Sequence, residues 1–284
     1  KMNLKKTDPE FAERFEHFAF DEVVNEENQQ LEPPPRCLAI LAALIGCGGV
    51  DAYREMLPQA LENGITPIAA KEIVYQAADY LGYGRMLPFL NVTNEVLTER
   101  GIELPLDGQA TTTLADRLEK GIEAQASIFG EHMKEAWKTG HINRWLAANC
   151  FGDYYTRTGL GLAERELITF CFLMAQGGCE PQLIAHAKGN MNLGNDRDFL
   201  IRVVSGCLPY IGYPRSLNAI ACIGIKVFIV HLKYVRQSFG RSLGLQFGKI
   251  IVVSDHFCFY LDVRILFFKF CHHFIQILQM IRAR

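Results

Sequence analysis

Gly177-Gly-Cys-Glu-Pro-Gln-Leu-Ile-Ala-His-Ala-Lys-Gly-Asn-Met-Asn-Leu-Gly194, followed by Tyr210-Ile-Gly-Tyr-Pro-Arg215, has a counterpart about 130 residues earlier in the same chain. At that offset Gly48, Gly64, Tyr80, Gly82, Tyr83, Arg85 and Leu87 fall on Gly178, Gly194, Tyr210, Gly212, Tyr213, Arg215 and Leu217. The repeated order is a glycine pair, a helix, a glycine, a second helix, then Tyr-x-Gly-Tyr-x-Arg. A fixed period of this kind marks a duplicated unit that buries its apolar face against its twin.

Outward from that stretch, each copy carries helix punctuation. Pro33 to Pro35 set the start of an apolar helix from Arg36 to Cys47, which stops at Gly48-Gly49. Asp51 opens a helix to Asn63, with Gly64 in the C-cap position. Thr66-Pro67 caps and starts another, Ile68 to Leu81, and a fourth covers Met86 to Arg100. The same order resumes at Leu162 and runs to Ile223. Thr7 and Glu10 have capping-box spacing for a leading helix from Asp8 to Val23. Residues 101–112 read as a linker, and amphipathic helices are expected over Leu114–Phe129, Glu131–Trp137 and His141–Tyr155. Neither copy alternates with the period of two that a half-buried sheet requires. The expected fold is therefore all-α, a tandem duplicated helical bundle: first repeat 1–112, second repeat 113–223, and a tail 224–284.

With 284 residues, 49% hydrophobic and 21% charged, the chain has an ordinary globular composition and can bury a substantial core. Nine cysteines without C-x-x-C spacing, several in apolar runs such as Leu167 to Met174, fit reduced, packed thiols and a cytoplasmic setting. The charged stretch Lys1 to Phe18 has no apolar segment of secretory type. The net charge of −2 conceals an asymmetry, with 29 acidic and 20 basic side chains up to Gly224 and 2 and 9 after it. The tail also holds nine of the nineteen phenylalanines, but Asp255, Asp262, Arg264 and Lys269 interrupt its apolar runs short of a membrane span. It reads as an extension extraneous to the duplicated fold, for example from a shifted reading frame. Neither a nucleic-acid nor a membrane partner is expected.

Only the second copy carries a polar stripe. Cys179, Gln182 and His186 share a helix face, whereas the matching positions of copy one are Gly49, Ala52 and Met56. A thiol at a helix start feels the positive end of the dipole, which favours thiolate, and a histidine exchanges protons near neutral pH. Cys179 alone also reads as a small packing residue. Glu166 stands on an apolar stripe of the preceding helix, desolvated or paired, with His186 across the hairpin as a candidate partner. Glu72 and Tyr80 of copy one are candidates to complete a composite site, and Arg215 has the chemistry to hold a carboxylate bidentately. Gly159-x-Gly161 lacks the third glycine of a dinucleotide loop, and Cys258, Cys271, His272 and His273 lack metal-knuckle spacing, so neither cofactor nor metal is expected.

Glu166-Leu-Ile-Thr-Phe through Gly178-Cys179 to His186 and Gly194, with Tyr210-Ile-Gly-Tyr-Pro-Arg215, resembles the carboxymuconolactone decarboxylase family of the alkylhydroperoxidase D-like superfamily. Copy one is similar through Asn63-Gly-Ile-Thr-Pro67, Lys71-Glu72-Ile-Val-Tyr-Gln76 and Tyr80-Leu-Gly82. The resemblance implies an all-helical homo-oligomer, here a trimer of two-repeat chains, acting on a small molecule. Its decarboxylase branch removes CO2 from a lactone acid without cofactor. Its peroxidase branch uses a C-x-x-C pair, and here Gln182 occupies the second cysteine position. That departure places decarboxylation first, with His186 returning the proton, Arg215 holding the carboxylate and Tyr80 or Tyr210 stabilising the enolate. Two alternatives stay open: a peroxiredoxin-like thiol antioxidant activity through Cys179, and a non-catalytic oligomeric binding protein.

Overall fold

A computed structural model describes residues 4–224, 249–254 and 257–262. The chain divides into two units, Lys1–Ile223 and Gly224–Arg284. The first begins with α1 (Leu4–Thr7), α2 (Pro9–His17), a π-helical turn at Phe18–Glu22 and α3 (Val23–Asn25). The first repeat is α4 (Pro33–Cys47), α5 (Val50–Glu62), α6 (Pro67–Leu81) and α7 (Tyr83–Glu99). An intervening layer follows: α8 (Arg117–Phe129), a 3-10 segment Glu131–Thr139, α9 (His141–Trp145) and a π-helical segment Leu146–Tyr155. The second repeat is α10 (Leu162–Gln176), α11 (Glu180–Asn192), α12 (Arg197–Ile211) and α13 (Tyr213–Gly224).

The fold is all-α, and the repeats match helix for helix. α4 and α10 each have 15 residues, α5 and α11 each have 13, and α6 and α12 each have 15. Strand pairing among the described residues is confined to the second unit, where β1 (Lys249–Ser254) pairs antiparallel with β2 (Phe257–Asp262). The remainder of the basic tail, 225–248, 255–256 and 263–284, lies outside the described residues.

Local chemistry accounts for the boundaries. The three prolines occupy the first turn of α4 rather than preceding it, because the amides they lack have no intrahelical partner there. Gly48, at φ 78°, closes α4 in the left-handed conformation, with its amide and that of Gly49 bonded to Ile45 and Leu44 carbonyls. Thr66 caps α6 by accepting from the Ala69 amide at 3.0 Å, and Asp196 caps α12 by accepting from Phe199 at 2.7 Å. The Thr7–Glu10 capping box does not form. Asp8 is the N-cap of α2, and no side chain caps it.

α4 and α10 form the centre, buried over Cys37–Gly46 and Arg165–Ala175 and lying against each other. A helix buried all round needs an apolar surface all round, and the sequence of α4 provides one. Gly46 permits the close crossing, since a Cβ there would lie 2.8 Å from both Ala175 Cβ and the Phe172 carbonyl oxygen. The turn after α10 is one residue longer than that after α4. Cys37 therefore takes the place of Glu166, while Met56 takes the place of His186.

Candidate active site

Glu166 projects from the second turn of α10 and is fully buried. A lone buried carboxylate is costly, and this one is met from two sides. His186, on α11, places Nδ1 at 2.9 Å from Oε2 and 3.1 Å from Oε1. Tyr155, at the end of the π-helical segment, donates its hydroxyl to Oε1 at 2.8 Å. Asn190, one turn beyond His186, donates to the Glu166 and His186 carbonyls, both at 2.8 Å, and ties α11 to α10. Gly189 supplies the room, because a Cβ there would lie 2.5 Å from Glu166 Oε2.

The hydroxyl protons all run toward this carboxylate. Tyr155 has one hydrogen, given to Glu166, so it accepts from Tyr80 at 2.9 Å and from Thr169 at 2.8 Å. Gln76 Nε2 in turn donates to Thr169 at 2.9 Å, and the Cys150 thiol donates to Tyr80 at 3.6 Å. Burial, with nearby Cys150 and Glu166 charge adding to it, pushes the hydroxyls of Tyr80 and Tyr155 well above the ordinary tyrosine value. Both stay neutral donors.

His186 is sandwiched edge-on by Tyr80 and Phe129, with ring centroids at 5.5 and 5.3 Å. Its side chain keeps 11% exposure, and no hydrogen bond from the described residues engages Nε2. With Nδ1 donating to Glu166, the ring orientation is fixed and Nε2 is the nitrogen available for proton exchange.

Of the two copy-one residues expected to complete a composite site, Tyr80 lies beside His186 and Glu72 does not. Tyr80 of copy one reaches His186, but with its ring, since its hydroxyl hydrogen belongs to Tyr155. Glu72 does not approach His186. It receives Arg157 Nε and Nη2 at 2.9 and 2.8 Å and Arg165 Nη2 at 3.0 Å, within a buried ion cluster that also bonds Gln76 to Arg165. Tyr210 belongs to the opposite half, with its hydroxyl 4.0 Å from Met56 Sδ and its ring edge-on to Phe15. Gln182 is exposed.

Cys179 is the N-cap of α11, seven residues or about 10 Å along the axis from His186. Its thiol faces the Leu173 carbonyl at 3.4 Å. Burial pushes it above the ordinary thiol value, outweighing the Gln176 hydrogen bond and the Arg215 charge that pull the other way. The expected thiolate is thus opposed by desolvation. Arg215 lies beside Gly177, and Arg85 donates to Gln176 Oε1 at 3.3 Å, so both repeat arginines gather at the turn entering α11.

Sequence reasoning missed Tyr155, Phe129, Thr169 and Asn190. Asn190 had a readable signal, four residues after His186 on the same face. Tyr155 had none, because its register depends on π-helical turns. Asp79, also missed, has one buried oxygen without a hydrogen-bond partner, and burial with the Asp153 charge pushes its carboxyl up to about 7. Among the described residues no three His, Cys, Asp or Glu side chains gather as metal ligands, and no helix is long and apolar enough to cross a membrane.

The model of the carboxymuconolactone decarboxylase family matches residues 9–95 and 141–223, one region in each repeat. Among curated proteins, the 4-carboxymuconolactone decarboxylase of Acinetobacter baylyi is similar, at 27% identity over 118 residues, covering 39% of this chain and 87% of that protein.

Proposed function

This chain belongs to the carboxymuconolactone decarboxylase family, and from that membership we propose that it decarboxylates a small lactone acid without a cofactor, with His186 as the proton donor. The observation that carries the reading is the Glu166–His186 pair, in which the buried carboxylate holds Nδ1 and leaves Nε2 free. A substrate of this class is a vinylogous acid, with its carboxylate on a saturated carbon joined through a C=C bond to the lactone carbonyl. The C–C bond to the carboxylate breaks, CO2 leaves, and the electron pair passes to the carbonyl oxygen as an enolate. His186 Nε2 then gives its proton to carbon and is reprotonated from solvent. General acid catalysis of this kind contributes roughly 10²- to 10⁴-fold.

The remaining assignments follow the hydrogen bonds. Arg215, in the first turn of α13 and beside the turn that enters α11, is the cation proposed to receive the substrate carboxylate. Tyr80 is proposed as an apolar wall rather than an enolate donor, because its hydroxyl hydrogen is committed to Tyr155. Tyr210, bonded on the Met56 side, has no part in this site.

A thiol peroxidase reading through Cys179 has less support, since burial keeps that thiol protonated and Gln182 is not a resolving thiol. The test is a parallel assay of the full chain with carboxymuconolactone, and with a hydroperoxide plus a thiol reductant. Lactone loss that survives Cys179→Ser supports decarboxylation. Peroxide turnover that vanishes with Cys179→Ser, with the lactone untouched, overturns it.

A further inference from the structure

The duplication places a cavity where the copy-one counterpart of the His186 site belongs. Met56 stands for His186, Cys37 for Glu166 and Tyr210 for Tyr80, and all three line one cavity of about 130 Å³. Tyr210 of copy two leans on Met56 of copy one, as Tyr80 of copy one leans on His186 of copy two. The exchange has removed the carboxylate and the imidazole. It has not filled the space.

We infer that this cavity is a binding site, without turnover, for a small aromatic or alicyclic monocarboxylate. Its size is that of a single ring, since an apolar cavity of ~150 Å³ takes benzene. Val23, Ile40 and Met56 supply apolar wall, and methionine adapts to ring edges. Arg36 also lines the cavity, and among the described residues no acidic side chain is in that lining and no ion pair or side-chain hydrogen bond engages the Arg36 guanidinium. A half-buried cation at the rim of an otherwise neutral hollow calls for an anion, and the planar guanidinium matches a carboxylate. The neighbouring Cys37 thiol and Tyr210 hydroxyl are both pushed up by burial, the latter to about 12, and so are neutral. Among the described residues, the charge presented to a ligand there is positive.

The site can be closed without touching the Glu166–His186 pair. Gly206 lies in its wall, and a Cβ added there meets only Leu31 Cδ1, at 3.8 Å. A larger side chain at that position enters the hollow, and replacing a mid-helix glycine favours the helix.

Titration of the full chain carrying ¹³C-methyl methionine with benzoate, using Met56→Leu to assign the Met56 signal, reads the site directly. The expected result is a saturable shift of that signal which Gly206→Leu abolishes. Arg36→Gln should weaken benzoate by roughly tenfold or more while leaving benzyl alcohol within about twofold. His186→Ala should leave the titration unchanged, which separates this site from the proposed decarboxylation. A Met56 signal that does not move, or a shift insensitive to both Gly206→Leu and Arg36→Gln, overturns the inference.

Discussion

His186 Nδ1 lies 2.9 Å from Glu166 Oε2, a bond formed between adjacent helices by residues 20 apart in sequence. Glu166 accepts from Tyr155 at the same time, so it holds the imidazole through a bond whose direction is fixed. Glu166→Gln keeps the size and hydrogen bonding but can either donate to or accept from Nδ1. The ring then loses its single tautomer, and kcat should fall about 10²-fold with KM changed less than about threefold. Steady-state kinetics on the lactone acid check this, and an equal rise in KM with kcat intact would assign Glu166 to binding instead.

Gly189→Ala tests the same pair through space alone. The new methyl would stand 2.5 Å from Glu166 Oε2 and 2.9 Å from Phe129 Cε1, so one must move. Alanine is the better helix former by about 1 kcal/mol, which offsets part of the crowding. Activity should drop by tenfold or more while the urea midpoint changes little. Full activity would mean that the carboxylate position does not matter.

Glu72 anchors the linker preceding α10 to α6, and Arg165 beside it is fully buried. Glu72→Ala leaves that guanidinium without its counter-charge, and removing one partner of a buried pair costs about 3–5 kcal/mol. Denaturant unfolding should show this loss. Activity per folded molecule should stay near wild type, whereas a substrate-binding role for Glu72 would raise KM.

Asp79 gives stability a pH dependence of unusual sign. Its folded carboxyl titrates at about 7, against the ordinary carboxylate value of 3.8, so the folded state keeps a proton that the unfolded chain has released. Its contribution to stability should therefore decline as pH rises from about 4 to about 7 and level off above, by roughly 4 kcal/mol in all. Asp79→Asn should flatten that decline and raise stability at pH 8. Unfolding curves at pH 5 and pH 8 decide it, and an unchanged slope in the variant would place the titrating group elsewhere.

Much of this was legible in the sequence because helix ends are written locally. Thr66-Pro67, Gly48 and Gly64 act on their own neighbours, and the duplication allowed each copy to support the other. The Glu166–His186 pairing was legible for the same reason, since adjacent helices in a hairpin meet. Glu72 was misread because its partners, Arg157 and Arg165, come from 85 and 93 residues away, and nothing local announces an ion pair of that span. For Cys179 the sequence left two readings open, a helix-start thiolate and a small packing residue, and burial opposes the first. Tyr210 mirrors Tyr80 in sequence but serves the opposite half, a consequence of each repeat lending its tyrosine to the other.

The most direct measurement is the rate of CO2 release from carboxymuconolactone by the full chain and by His186→Ala, with circular dichroism confirming that both are folded. Turnover by the wild type that falls about 10²-fold or more in the variant is the expected result. Equal rates in the two, or no CO2 from the wild type, would contradict His186 as the proton donor in a decarboxylation.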